Sequence, residues 1–131
     1  MTYTKAIMTE NISVEELDSF IAERVKVIRS KEVFIDSDIA ELFETDKETI
    51  YALVESHPDL FPEEAMLALN SEERMHLNNA RYSFGNAGIF ALAGLLKSKR
   101  SIRIYVKLIE LLVNKLQGKA FELASSYQEH N

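Results

Sequence analysis

Lys99, Arg103 and Lys107 stand four residues apart, so on a helix they form a single row of cations. Lys97 and Arg100 lie beside that row, and no acid interrupts the stretch from 97 to 107. Such a row suits the neutralisation of backbone phosphates, each of which needs a Lys or Arg nearby. A second set is Lys47, Thr49, Tyr51, Ser56 and His57, drawn from one short helical segment. Their hydroxyls, imidazole and single cation are groups that reach base edges or phosphates. Tyr51 would serve equally as a half-buried core ring, and His57 as a helix C-terminal cap. A third set has the opposite sign. Between Asp36 and Glu64 the chain carries ten acids and one base, Lys47, a formal charge of 1 − 10 = −9 against −6 for the whole chain. Within it Glu41, Glu44, Glu48 and Glu55 are candidates for docking a basic protein partner, the alternative being a solvated surface.

Catalytic chemistry finds little support. There is no cysteine, which removes thiolate ligands, thiol nucleophiles and disulfides. His57, His76 and His130 are scattered, without the spacing of a metal motif, so no metal and no cofactor is expected. Gly85-Asn86-Ala87-Gly88 precedes a helix but lacks the Gly-Lys-Ser/Thr ending of a phosphate loop, and reads as a helix start. The expectation is a protein that is not an enzyme.

The elements that must position these groups follow from capping and periodicity. Ser13-Val14-Glu15-Glu16 is a capping box, and Leu17, Phe20, Ile21 and Val25 recur at helical spacing, predicting a helix over 13–24. Val25–Ile28 and Val33–Ile35 read as a hairpin around Arg29-Ser30-Lys31-Glu32. Asp36 or Ser37 is expected to cap a short helix, Asp38–Phe43. A break at Glu44-Thr45 and a capping box at Thr45-Asp46-Lys47-Glu48 start the next, ended by Pro58. Together they read as helix-turn-helix. Met66–Leu69 is a strand candidate and Tyr82-Ser83-Phe84 a further one, with Asn78-Asn79 at a loop tip. Asn86 is expected to cap the apolar helix Ala87–Leu96.

The last helix runs from Ser101 to about Tyr127. Ile102, Val106, Ile109, Val113, Leu116, Ala120, Leu123 and Tyr127 alternate at spacings of four and three, a heptad seam. The first half is also apolar at Ile104, Tyr105, Leu108, Leu111 and Leu112. Residues 101–113 are therefore expected to pack on the domain and 114–127 to extend against a second copy, or the whole helix to fold back.

In this order the motifs resemble the KilA-N and Bro-N group of bacteriophage and large DNA-virus regulatory proteins, over residues 26–116. Within it they are most similar to the domain of phage open-reading-frame-six-type antirepressors. Val33–Phe43 is similar to that family's strand followed by aspartate-x-aspartate-leucine-alanine. Phe61-Pro62-Glu63-Glu64, Met66–Leu69 with Ser71-Glu72-Glu73, Phe84-Gly85-Asn86-Ala87-Gly88 and Leu95–Ser101 follow in the family's sequence of motifs. The chain departs at Glu44-Thr45, where glycine-valine is usual, and at Glu55-Ser56-His57, where a basic pair and asparagine are usual. The resemblance implies an α+β domain that binds DNA in prophage or viral gene control.

The combined expectation is an α+β fold: a helix-turn-helix core, a small antiparallel sheet (a hairpin plus one strand) and a long C-terminal helix. Residues 1–113 would form the domain and 114–131 a helical extension for homodimerisation. Its function would be non-enzymatic binding of double-stranded DNA, or else a protein-binding role that has lost DNA. With no apolar run near the ~20 residues of a membrane span, and Met1–Lys5 too polar to open a secretory signal, a cytoplasmic location without membrane contact is expected.

Overall fold

The computed structural model describes the backbone of residues 12–129 and the side chains of residues 12–119. The described residues form an α+β fold of six helices and one four-stranded antiparallel sheet. In chain order these are α1 (Val14–Arg24), β1 (Lys26–Ile28), β2 (Lys31–Ile35), α2 (Asp36–Phe43), α3 (Lys47–Ser56), β3 (Met66–Ala68), α4 (Ser71–His76), β4 (Tyr82–Phe84), α5 (Asn86–Leu96) and α6 (Lys99–Glu129).

The sheet order is β1-β2-β4-β3, so both later segments enter it and it holds one strand more than a hairpin plus one. The hairpin turn has two residues. Arg29 and Ser30 both adopt positive φ, 52° and 66°, the backbone twist that joins antiparallel strands most tightly. Phe34 pairs with Phe84 and Ile35 with Ser83. Successive side chains of β2 point to opposite faces, and both faces are covered. Phe34 and Phe84 enter the main core with Leu17, Phe20, Ile39, Ile50, Leu92 and Ile104. Val33 and Ile35 enter a smaller core with Ile28, Leu67, Leu69 and Ala80. Ring edges chain the main core together: Phe61 to Phe84 at 6.2 Å, Phe84 to Tyr82 at 6.4 Å, Tyr82 to Tyr51 at 5.6 Å.

Helix starts differ from the expected caps in three places. Ser13 and Glu16 form the capping box expected at α1. α2 starts two residues early, at Asp36, with Ile35 as N-cap and no side-chain cap, because the Asp36 carboxylate turns inward. α3 is capped by Asp46 rather than Thr45. The Thr45 N–H is bonded to Ala40 O and closes the preceding helix, with Glu44 left-handed at φ 52°. α5 has Gly85 as N-cap rather than Asn86, since the Gly85 N–H donates to Ala65 O beside β3.

Gly88 on α5 is where that helix approaches the chain before β3 most closely. A Cβ there would stand 2.3 Å from Ala65 O and 3.1 Å from the Phe84 ring, and a backbone oxygen held by the Gly85 N–H cannot readily retreat. Gly88→Ala should therefore destabilise the domain by about 2 kcal/mol in spite of alanine's better helix propensity. Thermal unfolding followed by circular dichroism checks this; an unchanged or raised midpoint would show that the contact yields.

α6 packs its first half against α5 and α1. Ile104 and Leu108 are buried and Leu111 half-buried, whereas every side chain from Leu112 to Lys119 is exposed.

Candidate nucleic-acid interface

The five candidate residues on α3 do not share a free face. Asp46 accepts from the Thr49 N–H and from Thr49 Oγ1, both at 2.7 Å, so the Thr49 hydroxyl is occupied in the cap. Those two bonds, the hydroxyl's first, hold the Asp46 carboxyl below its ordinary range. The Tyr51 hydroxyl donates to Asp36 Oδ2 at 2.7 Å, and the Arg81 guanidinium lies 4.3 Å from the centre of its ring. Burial, then the bond to Asp36, push the Tyr51 phenol well above its ordinary value, so it stays a donor. His57 ends α3: its backbone N–H donates to Leu53 O and Val54 O, and its Nδ1 lies 3.1 Å from Leu53 O. That leaves Lys47, half-buried, and Ser56, exposed. What α3 turns fully to solvent is Glu48, Ala52 and Glu55, spaced four and three apart, with Ser56 alongside. A helix reading bases from the major groove needs donors and small polar groups on that stripe, and two carboxylates oppose it.

The acidic stretch is also less uniform than its formal charge. Asp36 is fully buried and accepts at Oδ2 from the backbone N–H groups of Arg81 (2.8 Å) and Tyr82 (3.2 Å) besides Tyr51. Asp38 and Glu41 share Arg24 of α1, at 2.9 Å and 2.5 Å from its Nη1. Glu41 is thus committed to an ion pair within the fold. Asp46 is the α3 cap. Glu44, Glu48, Glu55, Asp59, Glu63 and Glu64 remain exposed.

The cations of α6 divide in a similar way. Its first turn is closed by Ser98 and Ser101, each side-chain oxygen accepting from the other's backbone N–H at 3.0 Å and 2.9 Å. Arg100 is buried and its Nε donates to Leu42 O at 3.0 Å, joining the start of α6 to the last turn of α2. Burial lowers its pKa, and the field of Glu44 acts the other way. Arg100 therefore belongs to the frame rather than to a phosphate surface. Lys97 and Lys99 are exposed, Arg103 and Lys107 half-exposed, and Lys107 Nζ lies 3.4 Å from Glu110 on the same helix. An exposed pair of that length contributes little and gives way readily to a stronger anion.

The profile of the ORF6N domain family matches residues 23–105, well over half of the chain. The chain belongs to the ORF6N domain family. This is a phage-associated family of the Bro-N/KilA-N type. No curated protein and no solved structure matches the chain. The ORF6N match takes in Arg24, all four strands, α2 to α5 and the first turns of α6. It ends at Tyr105, before the exposed stretch that starts at Leu112.

Three site residues were not visible in the sequence as such. Arg24 meets Asp38 and Glu41 across 14 and 17 residues, and Asp36, one of the ten acids of the stretch, meets the backbone N–H groups of Arg81 and Tyr82 across 45 and 46. Arg100 carried a usable signal. It stands one helical turn before Ile104 and two before Leu108, which places it on the buried side of α6. Among the described residues no three His, Asp or Glu cluster as a metal site, and no helix is long and apolar enough to cross a membrane.

Proposed function

We propose that this ORF6N protein is a phage-type regulator of the cytoplasm that binds duplex DNA without catalysis. It would hold the phosphate backbone through the start of α6 and leave base reading by α3 aside. The observation that carries this reading is the row of Lys99, Arg103 and Lys107 along α6, with the exposed Lys97, the C-cap of α5, just before it. Three of the ten acids that oppose DNA in the formal count are engaged inside the fold: Asp36, which is buried, and Asp38 and Glu41, which pair with Arg24. Three or four phosphates neutralised by this row correspond to a slope of roughly −3 in log affinity against log salt.

Changing Lys97, Lys99 and Arg103 together to Ala should weaken binding to any duplex about tenfold or more at low salt and flatten that slope, without altering sequence preference. Fluorescence anisotropy with a labelled duplex reads both. A triple variant that binds as the wild type does would end this reading. Arg100 is left out of the set because its removal would disturb the frame.

A second reading is favoured by Glu44, Glu48 and Glu55, which remain exposed on the α2–α3 pair. There the protein would act as an antirepressor-type module on a basic protein partner. In the same titration it is distinguished by an absence of DNA binding in the wild type that Glu44→Lys, Glu48→Lys and Glu55→Lys together relieve.

A further inference from the structure

Ile104 and Leu108 fix which side of α6 faces the domain. Residues two apart on a helix differ by about 200° in direction, so Ile102 and Val106 point away from it. Ile102, Val106, Ile109, Val113 and Leu116 are 41–58% exposed, and they are the described part of the heptad seam. Tyr105 and Leu112 flank it and are exposed as well. Seven of the ten exposed large apolar side chains among the described residues thus lie on this one helix. Single exposed apolar residues are ordinary, but a continuous stripe of them is not.

At the domain end the stripe runs into an apolar groove of about 400 Å³ between α5 and α6, lined by Leu60, Phe90, Gly94, Ile102 and Tyr105 with Lys97 at its edge. At the other end the helix leaves the domain, and among the described residues nothing covers the side chains from Leu112 to Lys119. A helical stretch with no tertiary support is marginal in water.

We infer that the seam of α6 is the interface with a second copy of this chain, paired as a two-stranded coiled coil. The occupant follows from the period. A seven-residue repeat with alternating spacings of four and three keeps an apolar edge facing a partner helix of the same repeat, whereas a helix lying on a globular surface follows 3.6. The chain supplies that partner itself, with identical length and spacing. Val106 and Val113 stand at the a positions of this repeat, and Ile102, Ile109 and Leu116 at its d positions. The groove beside Ile102 and Tyr105 widens the contact next to the domain.

Sedimentation equilibrium of the full chain should give the mass of two chains. Ile109→Lys with Val113→Lys should return the mass of one chain with the domain's thermal transition still present, because both side chains lie outside the core. Cysteine chemistry gives an independent readout, as the chain has no native cysteine. Under mild oxidation Val113→Cys should form a covalent dimer if the helices are parallel. If they are antiparallel, a mixture of Ile109→Cys and Val113→Cys chains should form it instead. Asn114→Cys, off the seam, should form neither. A wild-type mass of one chain across the concentration range, or cross-linking through Asn114→Cys as fast as through the seam positions, would overturn the inference.

Discussion

Replacing Asp36 by Ala should lower the stability of the domain by about 4 kcal/mol, the largest effect expected of any single exchange considered for this chain. The carboxylate is fully buried where β2 passes into α2, and its Oδ2 collects three donors: the Tyr51 hydroxyl and the backbone N–H groups of Arg81 and Tyr82. Those donors come from α3 and from the lead into β4, so one oxygen ties three parts of the chain together. Alanine would leave three part-buried donors without this partner, at roughly 1–3 kcal/mol each before relaxation. The midpoint of thermal unfolding should fall by on the order of 15 °C. Asn, which keeps an acceptor oxygen, should recover part of the loss, and Tyr51→Phe should cost only about 1 kcal/mol, one bond of the three. A loss below about 1 kcal/mol for Asp36→Ala would mean that the junction is not held in this way.

Arg100→Ala is the second large effect, about 3 kcal/mol. The guanidinium is enclosed between α6 and the last turn of α2, where the Leu42 carbonyl has no helical partner of its own. Removing the side chain strips that carbonyl of its donor and opens a space beneath the start of α6. Lys, with a single ammonium on a flexible stem, should not restore the Nε bond. Lys99→Ala, one position earlier and exposed, should leave stability within about 0.5 kcal/mol of the wild type. Comparing the two unfolding midpoints separates a structural cation from a surface one. Equal midpoints would contradict the division of the basic cluster.

That division shows where the sequence was readable and where it was not. α1, the hairpin, the α2–α3 pair, α5 and the long α6 all follow from local patterns, because capping and periodicity act within a few residues. The hairpin was legible although its turn, Arg29-Ser30, lacks the Asn or Gly that favours positive φ; the flanking β-branched runs outweighed it. Capping was misplaced where two helices compete for one residue: Thr45 fits a capping box, but its N–H is already engaged in closing α2. The candidate site was readable in type and poor in detail. A run of acids gives no sign that Asp36 faces inward, or that Asp38 and Glu41 meet an arginine 14 and 17 residues away. Arg100 looked identical to its basic neighbours until its phase against Ile104 was considered. Charge counts describe a surface only after the charges used inside the fold have been set aside.

The contrast between an α3 that offers glutamates to solvent and an α6 that offers lysines organises the whole molecule. Its ORF6N frame places both helices at the surface, and the chemistry on each differs. The central claim is that DNA is held by charge at α6 and not read at α3. It is tested most directly by titrating two duplexes of unrelated sequence with the wild-type chain at low and at moderate salt. Both should bind alike at low salt and weaken together, with a slope of roughly −3 per protomer. No binding to either duplex at low salt, or strong preference for one with little salt dependence, would contradict it.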